Sequence, residues 1–232
     1  MAQPFHIGML LYPHLTQLDL TGPAQVLSRA PGVKMHYVWK TLEPVPSDAG
    51  ISLLPTDTFE SCPQLDLICV PGGAGQTQLM TDQPTLDFLK RQGERAKYVT
   101  SVCTGSLLLG AAGLLNGYKS ACHWMWREYL PAFGAIPVNA RVVKDRNRMS
   151  GGGVTAGIDF ALSVIAEIWG EEEAKLIQLY LEYNPQPPFN TGSPETAGPE
   201  LTAKAKAQLQ ASIANREKVI AEVSARQKAS VS

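Results

Sequence analysis

Four apolar runs of strand length, residues 5–11, 35–39, 65–70 and 98–102, are hydrophobic along most of their length instead of only at alternate positions. Unbroken apolar character requires cover on both faces of a strand, the condition of a parallel sheet held between two layers of helices. The intervening segments fit this arrangement. Residues 18–30, 84–96 and 104–112 have helical length and spacing, and Pro84 after Asp82-Gln83 suits a first helical turn, where a missing N–H is no loss. The alternation predicts an α/β fold with a flavodoxin-like, doubly wound, mostly parallel sheet in three α/β/α layers. With 44% of 232 residues hydrophobic and 18% charged, one large core is the simplest way to house it.

Beyond the fourth run the pattern is less regular. It gives a short apolar segment at 120–124, a hairpin over 141–149 with a basic, solvated rim, and helices over 155–169 and 171–183 separated by Gly170. Glu171, Glu172 and Glu173 favour the N-terminus of the second helix. Residues 184–199 are rich in Pro, Gly, Ser and Thr and read as a loop. Residues 200–228 carry apolar positions at Leu201, Leu209, Ile213, Val219, Ile220 and Val223 and read as an amphipathic helix. The division expected is a domain over 1–199 and a C-terminal helix over 200–232, whose stripe packs on its own domain or, the favoured reading, at a homodimer contact.

A formal net charge of −1 offers no basic stripe for phosphate backbones, so nucleic acid is not expected as a partner. The start, Met1-Ala2-Gln3-Pro4-Phe5-His6, has no basic leader, and the longest apolar stretch, 107–115, is broken by glycines and too short for a bilayer; no membrane role and a cytoplasmic location are expected. Cys62, Cys69, Cys103 and Cys122 form no C-x-x-C pair, and His6, His14, His36 and His123 form no H-x-x-x-H pair, so neither a disulfide scaffold nor a metal site is expected.

The segment Val102-Cys103-Thr104-Gly105-Ser106 carries a strand into a helix at a cysteine flanked by small residues. A side chain on such an elbow projects from the C-terminal edge of the sheet, and the helix-start amides favour a thiolate. Cys69 sits inside an apolar strand and reads as core, while Cys62 and Cys122 lack the helix-start context. A second turn, Pro71-Gly72-Gly73-Ala74-Gly75, opens on the same edge. Its amides are candidates for stabilising negative charge, or the turn serves only to reverse the chain; it lacks the context of a dinucleotide fingerprint, so no cofactor is expected. Asp19, between Leu18 and Leu20, is either a helix cap or a desolvated acid/base.

Together, Asp19-Leu20-Thr21-Gly22-Pro23, Pro71-Gly72-Gly73, Val102-Cys103-Thr104-Gly105-Ser106 and His123-Trp124 resemble the ThiJ/PfpI superfamily, with a class I glutamine amidotransferase-like fold. Gly151-Gly152-Gly153-Val154-Thr155-Ala156-Gly157-Ile158-Asp159 and Pro187-Pro188-Phe189-Asn190-Thr191-Gly192-Ser193-Pro194 narrow the resemblance to its isonitrile hydratase branch. It implies a cofactor-independent hydro-lyase acting on a small isonitrile, with Cys103 as nucleophile, Asp19 as acid/base and Thr104 beside them in the catalytic set; Thr104 is also expected, with the Gly72 and Gly73 amides of the glycine turn, around the substrate. Thr104 stands where protease-like relatives carry a histidine, which removes a ready Cys-His dyad. His123 is either an accessory base or a structural anchor, the latter favoured. A glyoxalase-type aldehyde hydratase, a cysteine redox sensor and the sensor domain of a transcription regulator remain as alternatives.

Overall fold

The computed structural model describes residues 3–229; Met1, Ala2 and residues 230–232, which belong to the start and the C-terminal segment read above, lie outside the described residues. The first half runs β1 (Phe5–Leu10), α1 (Gln17–Leu27), β2 (Val33–Trp39), β3 (Val45–Pro46), β4 (Ser52–Leu53), β5 (Asp57–Thr58), β6 (Leu67–Val70), α2 (Gln76–Leu79), α3 (Gln83–Gly93), β7 (Tyr98–Val102) and α4 (Gly105–Ala111). The second half runs β8 (Lys119–Ser120), a 3-10 helix (Arg127–Phe133), β9 (Ile136–Pro137), β10 (Val142–Asp145), β11 (Arg148–Gly151), α5 (Ala156–Trp169), α6 (Glu171–Tyr180), α7 (Pro194–Gln208) and α8 (Gln210–Ala229).

The central sheet has seven strands in the order β10-β11-β7-β6-β1-β2-β5, parallel except for the β10–β11 hairpin at one edge. β6 is buried along its whole length and β7 along all but its first residue. These strands lie mid-sheet, and α1, α5 and α6 form one packed group while α2, α3, α4, α8 and the 3-10 helix form another. β2 instead alternates between buried and half-exposed positions, because only the two-residue β5 lies outside it. The fold is the flavodoxin-like, mostly parallel α/β arrangement that the sequence pattern predicts.

Chain order reverses at β1, whose neighbours are β2 on one side and β6 on the other. In open α/β sheets that reversal opens a crevice at the C-terminal ends of the strands. The segments leaving β1, β6 and β7 converge there, bringing Asp19, Gly72 and Cys103 to one edge.

The C-terminal part differs from the sequence reading. Residues 194–197 already form a helical turn, because Pro194 occupies the first turn and Ser193 and Thr196 make a reciprocal capping box. Gly198, at φ 80°, then breaks the helix before it resumes. On α8 the apolar stripe is covered by the chain itself: Ile220 and Val223 are buried, Ser224 donates to the Ala132 carbonyl, and Gln227 Nε2 donates to the carbonyls of Gly110 and Ala111. The Ile220 and Val223 part of the stripe is thus covered within one protomer, while its other positions Leu201 and Leu209, on and beside α7, stay exposed.

α4 starts so close to β6 that a side chain at Gly105 would run into the Val70 carbonyl oxygen. Forcing a methyl group into a packed junction costs about 1–3 kcal/mol. We expect Gly105→Ala to lower the melting temperature by roughly 5–10 °C, measured by scanning calorimetry; an unchanged midpoint would show that the elbow yields without cost.

Candidate active site

Cys103 joins β7 to α4 with φ 58°, in the left-handed region that a side chain rarely adopts. Three contacts hold it there. The Cys103 amide donates to the Gly151 carbonyl at 3.1 Å, Ser106 Oγ donates to the Cys103 carbonyl at 3.1 Å, and Gly105 gives α4 its close approach to β6. Backbone strain of this kind concentrates at functional sites, where the surroundings enforce it. Only 6% of the residue is exposed.

Asp19 lies in the first turn of α1 and is fully buried. The helix cap is Thr16, so the carboxyl is free of the capping role that its position allowed. Its Oδ2 accepts the Gly72 amide at 2.8 Å; Oδ1 is buried without a hydrogen-bond partner. The Cys103 thiol interacts with this carboxyl and favours its ionised form, without the alignment of a full hydrogen bond. Burial dominates nonetheless and pushes Asp19 up to about 7, with the Gly72 amide and the thiol opposing it and Asp48 adding a little. With Oδ2 engaged by an N–H donor, a proton on this carboxyl sits on Oδ1.

Cys103 moves the same way. Burial, then the nearby Asp19 charge, raises its thiol well above the usual range, against the helping Thr104 amide. The Thr104 amide favours the thiolate, in the direction the sequence reading gives, but burial and the Asp19 charge act against it and are larger. The pair holds its protons in common.

The glycine turn is also used differently from expectation. The Gly72 amide serves Asp19, and the Gly73 amide donates to Thr104 Oγ1 at 3.1 Å. Both are occupied before any ligand arrives, so they organise the acid and the elbow instead of standing open as an oxyanion cradle. Glycine is required at 72: a Cβ there would lie 2.6 Å from the Thr104 amide nitrogen and 2.7 Å from Asp19 Oδ2.

His123 is half-buried, tilted against Trp124 at 5.7 Å, and held down to about 4 by burial and by Arg216. Its Nδ1 accepts the Met125 amide at 3.3 Å, so the neutral ring carries its proton on Nε2. That geometry fits the anchor reading better than a base. Cys69 and Cys62 are both pushed up to about 12 by burial, and Cys122 to about 11. Among the described residues no cluster of His, Cys, Asp and Glu could hold a metal, and no helix is long and apolar enough to cross a membrane.

Two residues around the site were not singled out from sequence. Tyr12, fully buried, donates its hydroxyl to the Pro71 carbonyl at 2.8 Å and fixes the entry to the glycine turn. Arg216 reaches the same turn from α8. A signal existed for Arg216, because it falls on the apolar line Ile213, Ile220 and Val223 at helical spacing, a cation inside an apolar stripe.

A strained cysteine elbow beside a buried carboxyl, on a flavodoxin-like sheet, defines a class of cysteine-bearing α/β proteins. The sequence profile described as "DJ-1/PfpI family" matches residues 6–167, and the chain belongs to that family. It is 57% identical over 200 residues to the isonitrile hydratase of Pseudomonas putida, covering 86% of this chain and 88% of that one. A ThiJ/PfpI family protein from Pseudomonas syringae has a crystal structure that superposes with a TM-score of 0.91 at 46% identity, over 95% of this chain and 91% of that chain. The transcriptional regulator GbdR of Pseudomonas aeruginosa is 31% identical over 178 residues, 73% of this chain but 48% of the regulator.

Burial of Asp19 makes stability depend on pH with a definite sign. A carboxyl at 3.8 when unfolded and about 7 when folded binds its proton more tightly in the fold. Its contribution is full below about pH 4 and is lost as pH rises to about 7, of order 4 kcal/mol in all. We expect Asp19→Asn to melt several degrees above wild type at pH 8 and level with it near pH 4, measured by calorimetry; a difference independent of pH would refute the desolvation account.

Proposed function

We propose that the protein is an isonitrile hydratase, converting an isonitrile and water to an N-substituted formamide through a covalent intermediate on Cys103. The observation that carries this reading is the pairing of a buried thiol with a carboxyl that titrates near neutrality and keeps one oxygen, Oδ1, unengaged. An isonitrile carbon accepts a nucleophile readily only if the same carbon also gains a proton. Sulfur and acid must then face one atom. The kinship with the Pseudomonas putida enzyme, nearly end to end, supports the same choice.

As the sulfur of Cys103 bonds to the terminal carbon, its proton passes to the Asp19 carboxylate and from Oδ1 to that carbon. The product is a thioimidate, R–N=CH–S–Cys103. Water then adds to this carbon while Asp19 removes a proton from it and the nitrogen gains one, giving R–NH–CH(OH)–S–Cys103. Collapse breaks the C–S bond, returns the hydroxyl proton to sulfur through Asp19, and releases R–NH–CHO. Each proton that moves can be relayed by one carboxyl oxygen, and the scheme uses no cofactor. In it the Thr104 amide donates to the Cys103 sulfur, its hydroxyl oxygen accepts the Gly73 N–H, and the Gly72 amide orients Asp19. His123 takes no proton.

The thin, linear N≡C group suits a cysteine of which only 6% is exposed. Free thiols at all four cysteines support a reducing, cytoplasmic setting. The exposed Leu176, Leu179 and Tyr180 on α6 offer an apolar face to a second copy of the chain, which supports a homodimer, checked by sedimentation equilibrium.

The test is incubation of the purified protein with simple alkyl and aryl isonitriles and detection of the formamide. Cys103→Ala should abolish turnover while keeping the fold, and Asp19→Asn should lose roughly a hundredfold or more in kcat. Retained turnover in Cys103→Ala would end the covalent mechanism.

A further inference from the structure

Arg216 lies on α8, 143 residues beyond the glycine turn that it touches, and only 3% of it is exposed. Its Nε donates to Thr77 Oγ1 at 2.8 Å, its Nη2 donates to the Gly73 carbonyl at 3.2 Å, and the guanidinium stacks over Trp126 with its carbon 4.0 Å from the ring centre. No ion pair among the described residues includes it. Withdrawing a guanidinium from water without a carboxylate partner is costly. Packing alone would be met by an aliphatic side chain, as Ile220 and Val223 show on the same face of α8.

The contacts of Arg216 end on the segment that orders the reacting groups. The Gly72 amide holds Asp19 Oδ2 and the Gly73 amide holds Thr104 Oγ1, while the Gly73 carbonyl and Thr77 are held in turn by Arg216. We propose that Arg216 is a positioning residue: from α8 it clamps residues 72–77 so that the Gly72 amide stays on Asp19 and the Gly73 amide on Thr104, and it supplies the positive charge of the site. The C-terminal helix is then a working part of the active site. This rests on the reading of Cys103 and Asp19 as the reacting pair.

The titratable groups around Cys103 and Asp19 are Tyr12 from the segment after β1, Cys69 from β6, Cys122 and His123 from the segment after β8, Arg216 from α8, and more distantly Asp48, which acts on Asp19. Of these only Arg216 is a cation at neutral pH. Its charge favours the ionised forms of Tyr12 and Cys122 and adds to the burial that disfavours a proton on His123, while an ionised Cys103 in turn favours the guanidinium. Losing it should make the thiolate harder to form. Loosening the Gly72 amide should make Asp19 hold its proton more tightly, which acts in the same direction.

Alkylation of Cys103 by iodoacetamide reads the pair without any isonitrile. The rate is followed from pH 5 to 10 by peptide mass spectrometry on full-length wild type, Arg216→Gln, Arg216→Lys, Thr77→Val and Val223→Ala, each with its melting temperature. We expect the rising limb of Arg216→Gln to move up by about one pH unit, so that alkylation at pH 7 falls about tenfold, with Arg216→Lys between it and wild type. Val223→Ala should melt lower yet keep the wild-type limb. A limb in Arg216→Gln that overlays wild type overturns the proposal, and so does an equal shift in Val223→Ala, which would mean mere loosening. If Arg216→Gln does not fold, Thr77→Val decides: it removes one anchor and no charge, and should slow alkylation a few-fold, whereas a wild-type profile overturns the clamp. Absence of formamide from wild type alongside these shifts would remove the substrate assignment and leave the clamp standing.

Discussion

The hydrogen bond from the Gly72 amide to Asp19 Oδ2 ties together what the rest of the structure supplies. It links the first turn of α1 to the end of β6 across 53 residues, and it leaves the other carboxyl oxygen bare in a buried site. A carboxyl so placed is expensive when ionised and comfortable when neutral. The chain accepts that cost at one point of the sheet edge, the point where the order of strands reverses. Tyr12 fixes the turn from one side through the Pro71 carbonyl, Arg216 fixes it from the other through the Gly73 carbonyl, and Thr104 closes it onto the elbow.

What could be read from sequence divides along the range of the interactions. The sheet was legible because unbroken apolar runs are a local record of burial on both faces, and Tyr98–Val102 appears at the predicted residues. The elbow at Cys103 was legible for the same reason, since glycine and serine after the cysteine mark a junction without room for side chains. The use of the Gly72 and Gly73 amides was not, because their acceptors lie on α1 and at the start of α4. A turn shows that amides are available; it does not show who takes them. The opposition at Cys103 escaped for a related reason: the helix-start amide that favours the thiolate is local, whereas burial and the Asp19 charge that raise the thiol come from tertiary packing.

The C-terminal helix is the sharper case. Its composition, rich in Ala, Lys, Gln and Glu, suggests an appended surface element, and α8 buries few of its residues. Yet Arg216, Ile220 and Val223 share its inner face. An arginine in such a stripe conflicts with the local pattern, and local conflicts of this kind tend to mark function. Composition averages over the helix and so hides the one position that breaks the rule.

The occupied amides also bear on substrate choice. Attack on a carbonyl creates an oxyanion, which needs donors waiting at the place where charge develops. Here the two leading amides of the glycine turn are already taken, by Asp19 and by Thr104. Addition of a thiol to an isonitrile carbon creates no oxyanion; the electron pair freed at carbon takes a proton directly, and the bare Asp19 Oδ1 is the group suited to deliver it. In the proposed scheme the first step asks the site for a proton and not for a hydrogen-bonded anion. The threonine at 104 leaves Cys103 without an adjacent histidine, which weighs against a Cys-His dyad.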